Sequence, residues 1–277
     1  MFSTIRFATS FEIVKIICSF IDNKYNIVVQ RTRINTFLNN ISNASNFKMN
    51  KMMALDKINS FIFHLNRLLR KVFILPSMRK RLRVDDVTLI CNNCNAGFIY
   101  SDLNLQFCSP TINMFFYHDH FITFCERLDE YLKEKLVLCE NPECKTDLDY
   151  PICNIGDGVN LPKLELHFLH YKTYKEVCDS WERRLKRINP NRIYIIWTFF
   201  DETNVDWLAR IDALPQKNKI AFCNKDFPHY KSAYYIKGYE ESGLGVLSRF
   251  KGISGRRTMD EFDFVSWFNN SSNANNS

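Results

Sequence analysis

Glycine and proline are scarce, eight of each in 277 residues, which removes collagen-like and linker-dominated architectures. No stretch reaches the roughly 18 uncharged apolar residues that a spanning helix needs, so no membrane span is expected. A secretory leader pattern is missing: after Met1-Phe2-Ser3-Thr4-Ile5-Arg6, Glu12 and Lys15 break the apolar run that should follow. The expectation is a cytoplasmic chain whose ten cysteines are reduced thiols. The sequons Asn40-Ile41-Ser42 and Asn43-Ala44-Ser45 then carry no glycan. No P-loop, G-x-G-x-x-G, G-x-S-x-G or H-E-x-x-H motif is present. The common NTPase, dehydrogenase, hydrolase and zincin classes lose their main support.

Acidic residues are missing from one long stretch. From Lys57 to Val84 lie Lys57, Arg67, Arg70, Lys71, Arg79, Lys80, Arg81 and Arg83, with no Asp or Glu among them. That stretch carries +8 against +7 for the whole chain, so the remainder sums to −1. A nucleic-acid-binding domain would be basic over a whole face, and nucleic acid is not an expected partner. Residues 56–75 read as a basic amphipathic helix. Phe61, Leu65, Leu68, Leu69 and Val72 fall on one side and His64, Arg67 and Lys71 on another, and Pro76 is expected to end the helix. Three uses of the charge stay open: a solvated face on a helix docked to the domain, peripheral attachment of residues 61–83 to an anionic membrane surface, or a nuclear-import or nucleic-acid role for Arg79-Lys80-Arg81-Leu82-Arg83.

What is present is ample apolar material, 46% of the residues. After an Asn-rich, irregular lead over residues 1–55 and the basic segment 56–84, strand and helix patterns alternate. Strands are expected over Val87–Cys91, Thr111–Phe116, Leu164–Phe168, Ile193–Trp197, Lys219–Cys223 and Ala233–Ile236. Helices are expected over Asp119–Lys133, Tyr174–Ile188, Asn204–Asp212 and Met259–Phe268. This predicts one α/β domain over 85–268, three layers with a largely parallel sheet, and a frayed tail over 269–277. Val87–Cys91 is its organising strand, an apolar run of the kind buried on both faces, followed by Asn92-Asn93 and the small pair Ala96-Gly97. Sites in α/β folds form at such carboxyl ends.

Several patterns could carry chemistry. Glu165-Leu166-His167-Phe168-Leu169-His170-Tyr171 puts His167, Leu169 and Tyr171 on one strand face and Phe168 and His170 on the other. If the strand ends near Phe168, His170 and Tyr171 enter a loop at the sheet edge, where a neutral histidine can serve as a general base. The alternative is a structural, hydrogen-bonded histidine pair. Asp157 lies between Gly156 and Gly158 in the loop before that strand. Asp147-x-Asp149 has a spacing that can hold a divalent ion on sugar-nucleotide phosphates, although no apolar strand runs into it. Cys91-x2-Cys94 with Cys139-x4-Cys144 could complete a zinc site, and ordinary buried thiols are the plainer reading. The basic helix end around Arg183 and Arg184 suits either the helix dipole or capture of a phosphate.

Taken together, certain stretches resemble a bacterial family described as exopolysaccharide biosynthesis proteins, domain of unknown function 1919. They include Leu89-Ile90-Cys91-Asn92-Asn93-Cys94 with Gly97-Phe98-Ile99-Tyr100, and Ser109-Pro110-Thr111-Ile112 with Met114-Phe115. Tyr150-Pro151, Gly156-Asp157, Leu166–Tyr171, Trp181-Glu182-Arg183-Arg184, Asp212-Ala213-Leu214-Pro215 and Phe262-Asp263-Phe264-Val265 with Trp267 extend the match over residues 85–268. Cys91 stands where the family more often has Ser, and residues 1–55 and 139–144 have no counterpart in it. The resemblance implies an α/β fold and a place in polysaccharide assembly, and it transfers no catalytic role.

The resulting expectation is a glycosyltransferase-like enzyme acting on a sugar or sugar-phosphate, with a glycan-binding or scaffolding subunit as the alternative. His170, Asp157 and His167 are the acid/base candidates. Asn92, Asn93, Gly97, Tyr171 and Arg184 are the candidates for substrate contact, Arg184 as a phosphate clamp. A sugar nucleotide or glycan-lipid is the expected partner. No cofactor is fixed beyond a divalent metal that a sugar nucleotide could bring.

Overall fold

The computed structural model describes residues 48–142, 150–201, 203–241 and 243–271, with backbone only for residues 48–55 and Ser271. Phe11–Ile21, Asp147, Asp149 and Cys144 therefore lie outside the described residues. The chain divides into a unit Met1–Ile62 and a unit Phe63–Ser277, and the core described here belongs to the second.

The parallel sheet comprises β1 (Thr88–Cys91), β6 (Ile193–Thr198), β7 (Asn218–Cys223) and β8 (Ala233–Tyr235), in that spatial order. Each neighbouring pair is parallel, with Ile90 opposite Ile195 and Ile196 opposite Ile220. All four residues of β1 are buried. Leu89 and Cys91 enter one apolar core with Tyr194, Ile196 and Phe222, while Ile90 enters another with Ile195, Trp197 and Ala221. A strand with a core on each side reads as an unbroken apolar run, which is why β1 is legible.

The second sheet is antiparallel. It contains β2 (Phe115–Phe116), β3 (Val137–Leu138), β4 (Ile152–Ile155) and β5 (Leu164–His167), in the order β2-β5-β4-β3. The strands expected over Thr111–Phe116 and Leu164–Phe168 thus leave the parallel sheet, and β4 joins β5 as a hairpin with Ile155 opposite Leu164. Cys153, Ile155, Leu164 and Leu166 pack into the core below Ile90 and Trp197. Gly156 makes the hairpin possible: its φ is +96°, and a Cβ there would meet Pro162 O at 2.3 Å.

Helices cover both sides of the parallel sheet. One core takes Ile99 and Tyr100 from α3 (Asn95–Leu103) and Phe264, Val265 and Phe268 from α8 (Phe264–Ser271). The other takes α4 (His118–Glu126), α5 (Leu128–Tyr131), α6 (Tyr174–Leu185) and α7 (Val205–Ala213). The helix expected over Asp119–Lys133 is broken at Arg127, whose backbone leaves the helical region.

The basic helix α1 spans Lys48–Leu69, so residues 48–55 are helical where an irregular lead is expected. Pro76 does not end the rod. A π-turn, Arg70–Ile74, intervenes, in which Leu75 N–H bonds to Arg70 O five residues back. Pro76 then sits in the first turn of α2 (Leu75–Arg81), where a missing N–H costs little. The face turned to the domain is polar. Asn66 and Arg70 are buried, while Leu68, Val72 and Phe73 are exposed. Part of the apolar stripe, Leu68 and Val72, thus points outward, while Leu65 and Leu69 are half-buried beside Asn66 and Arg70.

Candidate functional site

The carboxyl end of β1 opens the site. Asn92 N–H continues the ladder to Ile196 O, and the Asn92 side chain imitates a further strand residue. Its Nδ2 donates to Thr198 O and its Oδ1 accepts from Thr198 N, each at 3.1 Å. Both ends of this buried amide are engaged, so Asn92 ties β1 to β6. Asn93 Oδ1 accepts from Asn95 N at 2.9 Å and from the Cys91 thiol. Asn93 Nδ2 is a buried donor without a partner among the described residues. Asn95 Nδ2 donates to Thr198 Oγ1.

Residues 109–118 rim this edge. Thr111 Oγ1 accepts from Cys91 N at 3.1 Å, and Phe116 N–H donates to Asn92 O at 3.0 Å. The segment therefore runs along β1 and across its carboxyl end. Gly97 packs beneath it, where a Cβ would lie 3.2 Å from Asn113 Oδ1; its small size serves that approach. At one end of the rim, Arg184 Nη1 donates to Tyr171 OH at 2.5 Å and to Ile112 O at 3.3 Å, and Tyr171 OH donates to Ile112 O. The guanidinium also lies over the rings of Phe107 and Tyr171. Arg184 is only 6% exposed, and among the described residues no carboxylate pairs with it. The fold thus brings Gly97, Tyr171 and Arg184 together around Ile112 and Asn113.

At the other end stands His118, in the first turn of α4. Its ring stacks on Trp207 at 4.5 Å and leans on Trp197 at 5.1 Å, with Phe199 beyond. Asp119 fixes Trp207 by accepting from its Nε1 at 2.8 Å, and Arg210 balances Asp119 and Glu126. His118 Nδ1 is buried without a hydrogen-bond partner among the described residues. Burial pushes the imidazole pKa below its ordinary value, against the pull of Asp119 and Asp201, so the ring is neutral at pH 7. The sequence signal for it is Tyr117-His118-Asp119-His120, a titratable cluster straight after a short strand.

The three acid/base candidates of the sequence do not assemble. Asp157 and His170 are exposed at opposite ends of the β4–β5 hairpin. Asp157 Oδ1 accepts from the amides of Val159, Asn160 and Leu161 at 2.8–2.9 Å. Those bonds hold its pKa at about 2, as befits a carboxylate that shapes the turn. His167 is wholly buried, stacked on Phe115 at 4.5 Å, with Tyr150 OH 3.2 Å from Nδ1 and Glu165 3.6 Å from Nε2. Burial lowers its pKa, and the surrounding rings close it off from substrate. Burial also raises the Cys91 thiol to about 12 and the Cys94 thiol above its ordinary value, and no three His, Cys, Asp or Glu side chains converge to hold a metal among the described residues.

Residues 65–269 match the family described as domain of unknown function (DUF1919). Over 201 residues the chain is 33% identical to a protein of Haemophilus influenzae named only as uncharacterized, a match covering 72% of this chain and 92% of that relative. The match begins within the basic helix and ends in α8, so it takes in both sheets and the whole rim between Arg184 and His118. The chain belongs to the DUF1919 family.

Proposed function

We propose that this protein is a glycosyltransferase-like enzyme acting on a sugar or sugar-phosphate in surface polysaccharide assembly, with its reacting groups along the rim of residues 109–118. Arg184 carries the reading. A guanidinium buried without a carboxylate is costly until an anion completes it, and a diphosphate is an anion that the planar fork reads well. His118 is the second support. A neutral imidazole between two indoles, at the carboxyl edge of a parallel sheet, suits a base that takes the proton of an acceptor hydroxyl. Asn93 Nδ2 offers a third group, a donor awaiting an oxygen. A divalent ion in this scheme arrives with the phosphates of the donor.

The test is release of nucleoside diphosphate by the full chain from a panel of nucleotide-diphosphate sugars. His118→Gln should lower kcat by about 10²–10⁴-fold, the usual contribution of a general base. Arg184→Gln should chiefly raise KM for the donor, and Arg184→Lys should restore part of it. Glycan binding without turnover, indifferent to both changes, would replace this reading with a binding or scaffolding subunit.

A further inference from the structure

We propose that the outer face of the helix running through the π-turn is a docking surface for an anionic lipid bilayer. Leu68 is 57% exposed, Val72 50% and Phe73 66%, which is unusual for three large apolar side chains so close in sequence. The π-turn explains their alignment. Its hydrogen bonds span five residues, so the widened turn brings Val72 under Leu68 and swings Phe73 toward the same side. No helix among the described residues is long and apolar enough to cross a membrane, so this face can only lie on one.

Charge selects the occupant. Of the cations between Arg67 and Arg83, three have partners on the domain: Arg70 on Asp102 and Asp260, Arg79 on the carbonyls of Ser101 and Asp102, and Arg81, at the surface, on Asp263. Arg67, Lys71, Lys80 and Arg83 have no carboxylate partner among the described residues. No acid occurs between Lys57 and Val84, so a second copy laid on this face would set like charges together. Phosphate-bearing headgroups complement both features, taking the cations at their own level while the apolar side chains enter the acyl boundary. This inference does not depend on the transferase reading.

The experiment is flotation of the full chain with vesicles of phosphatidylcholine alone and of phosphatidylcholine with phosphatidylglycerol. Binding is expected on the anionic vesicles only and should weaken with salt. Replacing Arg67, Lys71, Lys80 and Arg83 by Gln should lower partitioning on the order of several hundred-fold, at about fivefold for each cation removed. Replacing Leu68, Val72 and Phe73 by Ser should abolish it while leaving the melting temperature unchanged, since all three are exposed. No flotation, equal flotation on neutral vesicles, flotation indifferent to either set of changes, or a solution dimer dispersed by Phe73→Ser would each overturn the proposal.

Discussion

Arg70 and Asp260 lie 190 residues apart in the chain and meet at 2.5 Å. The same guanidinium reaches Asp102 at 2.7 Å and Gly255 O at 3.1 Å. One cation thus joins the π-turn, the end of α3 and the 3₁₀ turn before α8. Burial works against its charge, but the bonds to Asp260 and Asp102 outweigh that cost and raise its pKa. Arg70→Leu removes the cation between two largely buried carboxylates, leaving Asp102 the Arg257 guanidinium at 3.3 Å and Asp260 the Arg257 amide, and breaking such a network from one side costs up to about 3–5 kcal/mol. Urea denaturation should show that loss, with Arg70→Lys recovering only part, because an ammonium cannot fork between two acids and a carbonyl. A loss below about 1 kcal/mol would mean the network is dispensable.

One buried and one half-buried imidazole give the fold an acid limit. His118 and His167 both have folded pKa values below the ordinary 6.5, chiefly through burial. The unfolded chain therefore takes up protons first as pH falls. Stability is complete above about 6.5, declines as pH falls through that value, and levels off below the folded pKa values. Denaturation at pH 7.5, 6 and 5 should show the decline, and His167→Gln should flatten it. An unchanged slope in that variant would assign the limit to other groups.

Legibility followed burial. β1 and β6 are covered on both faces, so their apolar runs stand out, and the expected strands lie within two residues of those found. Ile152–Ile155 and Val137–Leu138 are four and two residues long, too short for a period to show, and with them went the antiparallel sheet. The orientation of the basic helix was hidden for another reason. An apolar stripe normally faces inward, yet here Arg70 and Asn66 find partners more than 180 residues away, and no local pattern records that. At the site, Tyr171 and Arg184 are near in sequence and meet in space, whereas His118 depends on Trp207, Trp197 and Phe199, contributed by distant elements.

Asp157 separates a structural acid from a catalytic one. Its three amide bonds close the hairpin loop, so Asp157→Ala should lower the melting temperature, and Asp157→Asn less so, because an amide oxygen still accepts. Turnover per folded molecule should stay as in the wild type for both. A selective loss of kcat in Asp157→Asn at full thermal stability would return Asp157 to the chemistry.

Two glycines in the same loop region make a controlled pair. Gly252 and Gly255 have φ values of +63° and +70°, so an alanine at either pays the left-handed strain of about 1–2 kcal/mol. Only Gly255 has a neighbour in the way. A Cβ there would stand 2.6 Å from Arg70 N and 2.9 Å from Leu69 C, whereas nothing lies within 4 Å of one at Gly252. The obstructing atoms are backbone of the helix itself, so relief requires the helix to lift. Lifting it stretches the bonds from Gly255 N to Asn66 Oδ1 and from Arg70 Nη1 to Gly255 O. Gly255→Ala should therefore cost at least about 2 kcal/mol more than Gly252→Ala, the clash adding to a common strain. Chemical denaturation of the two variants side by side measures that difference, and equal losses would show that the helix gives way at Gly255 without resistance.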